Sequence, residues 1–94
     1  ELPWITDVNE AIEIAHRENK PIFVDFWATW CKNCTMMDKT TFRDQQVVDK
    51  LNNYILIKFQ AENPSDKSTK KILDHFSIVG LPTYLIASPP KTEM

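Results

Sequence analysis

Glycine is almost missing from this chain. One residue of 94 is glycine, where ordinary usage near ~7% would supply roughly six or seven. Six prolines therefore do most of the punctuation. Cysteine is scarce as well, and two residues exclude a disulfide-rich scaffold. No apolar run approaches the ~18 residues of a membrane span, and no basic start followed by an apolar stretch resembles a signal peptide. Nor is one sign of charge in excess. Eleven Lys and Arg against thirteen Asp and Glu leave a net charge of −2, too balanced to mark nucleic acid or anionic membrane as a partner. What is present is globular: 43% hydrophobic, 26% charged and 11% aromatic residues, in a length that suits one domain with one core. The chain opens on Glu1 rather than Met, which reads as a processed or excised segment, so a missing leader says little about compartment.

Helix-like and strand-like segments alternate. Residues 4–19 predict an amphipathic helix with Asp7 as a plausible N-cap and Val8, Ala11, Ile12 and Ala15 on one face. Pro21 stops it. Residues 22–27 (Ile-Phe-Val-Asp-Phe-Trp) are β-branched or aromatic almost throughout, as in a strand covered on both faces. From Cys31 to Lys39 the pattern can be helical, and Asp44 offers a further cap before Val47, Val48 and Leu51. Residues 54–60 form a second β segment. A short helix follows at roughly 66–76 with Ile72, Leu73 and Phe76 inward, then the turn Gly80-Leu81-Pro82 and a third strand, Thr83–Ala87. The order α-β-α-β-α-β favours a mostly parallel α/β sheet flanked by helices and joined by right-handed crossovers.

Both cysteines lie in one Cys-x-x-Cys, Cys31-Lys32-Asn33-Cys34, after a strand and at a helix start. Free amides and the macrodipole at a helix N-terminus stabilise a negative sulfur. A fall in thiol pKa from ~8.5 to ~7 is worth about 2 kcal/mol and makes about half the thiol reactive at neutral pH. Cys31, at the exposed lip, would attack a disulfide, and Cys34, one turn on and more buried, would resolve the mixed disulfide. Three other readings compete: half of a zinc site, an inert buried pair, and a static structural disulfide. Zinc wants four ligands, and His16 and His75 lie far off without the spacing of a zinc pair. The strand-then-helix placement favours redox chemistry.

Other residues carry a functional and a bland reading side by side. Asp25 is a lone carboxylate inside an apolar strand; it is either a proton acceptor for Cys34, with a raised pKa, or a strand-end Asp reaching solvent or a backbone donor. Asp38, one turn after Cys34, could share that proton traffic or be a solvated helix-surface charge. Trp27 reads as core. Trp30, adjacent to Cys31, reads as half exposed and part of a contact surface. Met36 and Met37 read as core filling, Lys67, Lys70 and Lys71 as a solvated face, and Pro82 as a candidate cis bond.

The stretch Val24-Asp25-Phe26-Trp27-Ala28-Thr29-Trp30-Cys31-Lys32-Asn33-Cys34 resembles the active-site stretch of the thioredoxin superfamily, and Val79-Gly80-Leu81-Pro82-Thr83 resembles its cis-proline loop. The resemblance implies a thioredoxin-like α/β fold, a central mixed or parallel sheet flanked by helices, across residues 1–88; the consecutive prolines Pro89-Pro90 make 89–94 an expected unstructured tail. It implies catalytic roles for Cys31, Cys34, Asp25 and Asp38, and substrate contacts from Trp30, Lys32, Asn33, Leu81, Pro82 and Thr83. Pro82 would be cis and face the cysteines, with the Leu81 backbone free to pair with an extended substrate segment. Lys32-Asn33 departs from the Gly-Pro of ordinary thioredoxins, and Thr35 stands where they usually carry Lys. Asp38 and Thr41-Phe42-Arg43-Asp44-Gln45-Gln46-Val47 are instead similar to the C-terminal periplasmic domains of the DsbD family of transmembrane thiol:disulfide interchange proteins. That likeness implies a periplasmic thiol-disulfide reductase with no cofactor, taking electrons from a membrane-embedded cysteine pair and passing them to disulfide-bearing proteins. The alternative is a peptide-binding or chaperone-like module whose disulfide is structural. Two further expectations follow. Gly80 should sit where close approach to the active site forbids a side chain. The chain should also lack the final strand and C-terminal helix of the fold, leaving the Thr83–Ala87 strand at an unprotected edge.

Overall fold

Helices start where a short side chain can cap them. Asp7 caps α1 (Val8–Glu18), its carboxylate accepting from the Glu10 amide at 3.1 Å. Cys31 caps α2 (Lys32–Lys39) through its sulfur, Asp44 caps α3 (Gln45–Leu51), and Asp66 caps α4 (Lys67–His75). A 3-10 turn, Thr41–Arg43, joins α2 to α3. Between the helices run β1 (Ile22–Trp27), β2 (Ile55–Gln60) and β3 (Thr83–Ala87), so the element types and most boundaries match the sequence pattern. The computed structural model describes residues 1–89. The expected tail therefore falls outside the described residues from position 90 onward, while Ser88 and Pro89 carry no regular structure.

The sheet has the order β2-β1-β3. β1 pairs in parallel with β2, from Ile22↔Ile55 to Trp27↔Gln60, and antiparallel with β3, from Ile22↔Ala87 to Phe26↔Thr83. The mostly parallel sheet expected from alternation is thus a mixed one. Periodicity identifies a helix between two strands but not the end of the sheet to which the chain returns; here the connection from Gln60 to Thr83 crosses from one edge strand to the other while starting and ending at the same end of the sheet. Among the described residues no element follows β3, whose outer edge carries no paired strand.

Side chains of β1 alternate between two packing layers. Ile22, Val24 and Phe26 face α1 and α4, packing with Ala11, Ala15, Ile55 and Ile57 at one end and Ala61 and Leu73 at the other. Phe23 faces the opposite layer, where Leu2, Phe42, Leu51 and Leu56 are buried beneath Trp4, Tyr54 and Tyr84. Alanines at positions 11 and 15 let α1 lie close to the sheet.

Several expectations shift at this level. α1 begins at Val8, not at residue 4, because Ile5 is used as a β-bridge to Ile57: its amide donates to Leu56 O at 2.8 Å and its carbonyl accepts from the Lys58 amide at 2.9 Å. The buried seam of α1 is narrower than the sequence suggested, leaving Val8 and Ile12 partly exposed. Met37 joins the Phe42 cluster, but Met36 is 58% exposed, so only one of the pair fills the core. Phe76 lies past the end of α4 and is half exposed, although its ring is 6.3 Å from that of Phe26. Gly80 has no positive φ, and a Cβ there would meet nothing within 4 Å. The idea that crowding demands the chain's one glycine is therefore wrong; Gly80 faces open space.

Candidate active site

Cys31 and Cys34 are joined by a disulfide across the first turn of α2, with Cα atoms 5.3 Å apart. Strand β1 ends at Trp27, and Ala28, Thr29 and Trp30 turn the chain so that Cys31 takes the extended conformation of an N-cap. Its Sγ accepts a hydrogen bond from the Cys34 amide at 3.2 Å, which puts the first sulfur at the positive end of the helix dipole. Cys31 is 6% exposed and Cys34 2%. The expected order of burial holds, but the lip is shallow: Cys31 is itself a buried residue. Ala28 and both cysteines form one cluster against which Trp27 and Leu81 pack. The Leu81-Pro82 peptide bond is cis, and Leu81 brings this loop against the cysteines. Thr83 opens β3, its hydroxyl donating to Gly80 O.

Asp25 is 2% exposed, which removes the bland reading of a strand-end carboxylate reaching water. Burial raises its pKa above the ordinary carboxylate value, and the Lys58 ammonium opposes that rise without cancelling it. Lys58 Nζ lies 3.0 Å from Asp25 Oδ2 and 2.7 Å from Asp38 Oδ1, so one cation joins the two acidic residues expected at the site. Asp25 and Lys58 are register partners on β1 and β2, and Asp38 reaches them from α2. Among the described residues, the second carboxylate oxygen of Asp25 has no hydrogen-bond partner. On the other flank, Asp25 pairs in register with Tyr84 of β3. Burial, then the negative charges of Asp25 and Asp38, push the Tyr84 hydroxyl up to about 12, so it stays protonated.

Lys58 is also surrounded by aromatic rings. Its ammonium lies 5.0 Å from the ring centroid of Trp4, 5.0 Å from that of Trp27 and 5.9 Å from that of Phe42. Trp27, expected simply as core, is one wall of this box. Trp30 is 57% exposed beside Cys31, and its indole N–H donates to Glu62 O at 2.8 Å. The Glu62 carboxylate accepts from the Thr29 amide at 2.9 Å and from the Thr29 hydroxyl. Hydrogen bonds from Gln60 and Thr29 hold its pKa below the usual range. Glu62 thereby ties down the turn that delivers Cys31. Lys32 and Asn33 are exposed on the first turn of α2.

Sequence reasoning missed Lys58, Glu62 and the Trp4–Phe42 pair. Lys58 left a trace, as the one charged residue in Ile55-Leu56-Ile57-Lys58-Phe59, but its pairing crosses strands. Among the described residues no group of three or more His, Cys, Asp or Glu is placed to hold a metal ion, and no helix is long and apolar enough to cross a membrane.

The thioredoxin-like family profile matches residues 3–89. Among curated proteins the chain is 29% identical over 91 residues to the thiol:disulfide interchange protein DsbD of Campylobacter jejuni (strain RM1221), covering 97% of this chain and 16% of that protein. It is 36% identical over 83 residues to the DsbD of Pseudoalteromonas atlantica, covering 86% of this chain and 14% of that protein. The chain thus spans only 14–16% of the length of these relatives. Among solved structures, the reduced C-terminal domain of Neisseria meningitidis DsbD superposes with a TM-score of 0.74 at 20% identity, over 87% of this chain and 72% of that one. A Thermus thermophilus thioredoxin superposes with a TM-score of 0.74 at 19% identity, over 90% and 63% of the two chains. At these identities the superpositions speak for the fold.

Proposed function

The chain belongs to the thioredoxin-like family, whose profile spans residues 3–89, and on that premise we propose that it is a thiol-disulfide oxidoreductase acting as a reductant of periplasmic proteins. The observation that carries the reading is the Cys31–Cys34 pair at the N-terminus of α2, with the Leu81-Pro82 loop packed beside it. A structural disulfide needs no capped helix start; an exchange centre uses one to stabilise its thiolate.

In the reduced protein the Cys31 thiolate attacks one sulfur of a partner disulfide. The partner S–S bond breaks, the leaving thiolate takes a proton, and a mixed disulfide joins Cys31 to the partner. Cys34 then gives its proton to the Asp25 carboxylate and attacks the Cys31 sulfur. The Cys31–Cys34 disulfide forms, the Cys31–partner bond breaks, and the departing thiolate takes the proton held by Asp25, so the partner leaves as a dithiol with two electrons and two protons added. A raised pKa suits Asp25 to this task, since an acid-base group works best near the ambient pH. Asp38 and Lys58 supply the charges around that proton. Trp30, Lys32, Asn33, Leu81, Pro82 and Thr83 would serve as contacts for an extended stretch of partner chain.

The DsbD relatives are named for thiol:disulfide interchange, which supports exchange chemistry; on our reading this domain would receive electrons in the periplasm from a membrane-embedded cysteine pair and relay them outward. Replacing Cys31 by Ser is expected to abolish reduction of insulin disulfides, and replacing Cys34 by Ser to accumulate mixed disulfides through Cys31. Wild-type reduction by Cys31→Ser would sink the assignment. Equilibration in graded thiol buffers tests the direction: a potential of about −270 to −200 mV supports a reductant, and one far below about −300 mV returns the pair to a structural role.

A further inference from the structure

The Lys58 ammonium has two carboxylates to choose between. Asp25 is buried and Asp38 is partly open to solvent, with side-chain exposures of 3% and 36%. A lysine side chain is long, flexible and strongly hydrated, so the open carboxylate and the water beyond it should draw the ammonium outward. Something must hold it against Asp25. The N-terminal segment is placed to do so. Ile5 pairs with β2 on both sides of Ile57, its carbonyl taking the amide of Lys58 itself. Leu2 is buried in the Phe42 cluster, and between these two anchors the ring of Trp4 lies over the Lys58 ammonium at 5.0 Å. Trp4 in turn meets the Phe42 ring edge-on at 5.3 Å. Trp4 and Lys58 stand side by side in the wall of a surface cleft of about 430 Å³, and the lysine side chain is only 12% exposed.

We infer that Trp4 is a positioning residue for the exchange chemistry: its ring holds the Lys58 ammonium against Asp25 and so sets the pH at which that buried carboxyl takes and releases a proton. This rests on the reading of Asp25 as the proton acceptor for Cys34. A ring face attracts a cation within about 6 Å of its centroid, and three rings converge here. Trp27 and Phe42 come from the body of the fold, whereas Trp4 is carried by a segment held through one β-bridge and one buried leucine. The other ionisable groups facing the pair are Asp38 from α2, Tyr84 from β3, and Glu1 and Arg43 across the cleft.

The test is a site-resolved NMR titration of the Asp25 carboxyl in the whole chain, reduced. Freed from Trp4, the ammonium moves outward and stabilises the Asp25 carboxylate less. Trp4→Leu is therefore expected to raise the Asp25 midpoint by about half a pH unit, and Lys58→Met to raise it further. Trp4→Phe, which keeps a ring face, should lie close to wild type. Tryptophans of increasing fluorination placed at position 4 keep the fold and weaken the ring face stepwise, so the midpoint should climb with them. An unchanged or lowered midpoint in Trp4→Leu and across the fluorinated series overturns the inference, as does an unchanged midpoint in Lys58→Met. The titration needs no activity, so failure of the exchange reading is seen separately, as Cys31→Ser protein that still reduces insulin; that result removes the role of Trp4 in exchange while leaving its hold on Lys58 measurable.

Discussion

A carboxylate with one oxygen on a lysine and the other on nothing is hard to keep ionised away from water, and Asp25 is that carboxylate. The folded protein therefore binds the Asp25 proton more tightly than the unfolded chain does. By linkage, the stability contributed by this proton is complete below the unfolded value, about pH 3.9, and is lost as pH rises through the higher folded value. Asp25→Asn keeps the shape and removes the charge, so it is expected to melt at a higher temperature than wild type near pH 8. The difference should shrink to nothing as pH approaches about 4. Thermal melts of the reduced proteins across that range check it, and equal melting temperatures near pH 8 would count against a strained carboxylate. The same substitution should slow resolution of the mixed disulfide, which separates the residue's use from its cost.

Whole elements were legible wherever their signals are local. Asp7 and Asp44, the two caps expected from the sequence, both serve as such, and Asp66 caps α4 in the same way. Asp7→Ala is accordingly expected to cost about 1 kcal/mol in urea unfolding, with disulfide exchange unchanged, because α1 supports the layer of the sheet that faces away from Asp25. What could not be read depends on partners distant in sequence. The direction of β3 is set by where a 22-residue connection, 61–82, returns to the sheet. The conversion of residues 4–6 from expected helix to an edge pairing is set by β2, more than fifty positions on. Lys58 is the same case at the site. Its own strand reads as buried and apolar, and only the register with Asp25 and the approach of α2 give the charge its two partners. Cys31, Cys34 and Pro82 were visible because their chemistry is written in adjacent residues.

Taken as a whole, the molecule is built on one central strand. β1 pairs on both edges and supplies Phe26 to one layer and Phe23 and Asp25 to the other. Phe26 is 2% exposed and touches both Phe59 and Phe76, its ring 5.3 Å and 6.3 Å from theirs. Phe26→Ala should therefore cost roughly 3–5 kcal/mol, a large part of the ~5–15 kcal/mol that holds a domain of this kind together. Chemical denaturation reads that loss directly, and a change below about 1 kcal/mol would show that this end of the core repacks freely. The Asp25–Lys58 pair has a consequence for how β2 finds its place beside β1. In a parallel pair a slip of one residue turns every side chain of the moving strand to the opposite face. Such a slip would carry Lys58 into the apolar layer with Ile22, Val24 and Phe26 and leave Asp25 buried without a cation, an error that neither charge can tolerate. The hydrophobic residues of β2 (Ile55, Leu56, Ile57 and Phe59) are interchangeable enough to permit that error. The ion pair is not, and it makes the correct alignment the one arrangement in which the proton site and the core can both form.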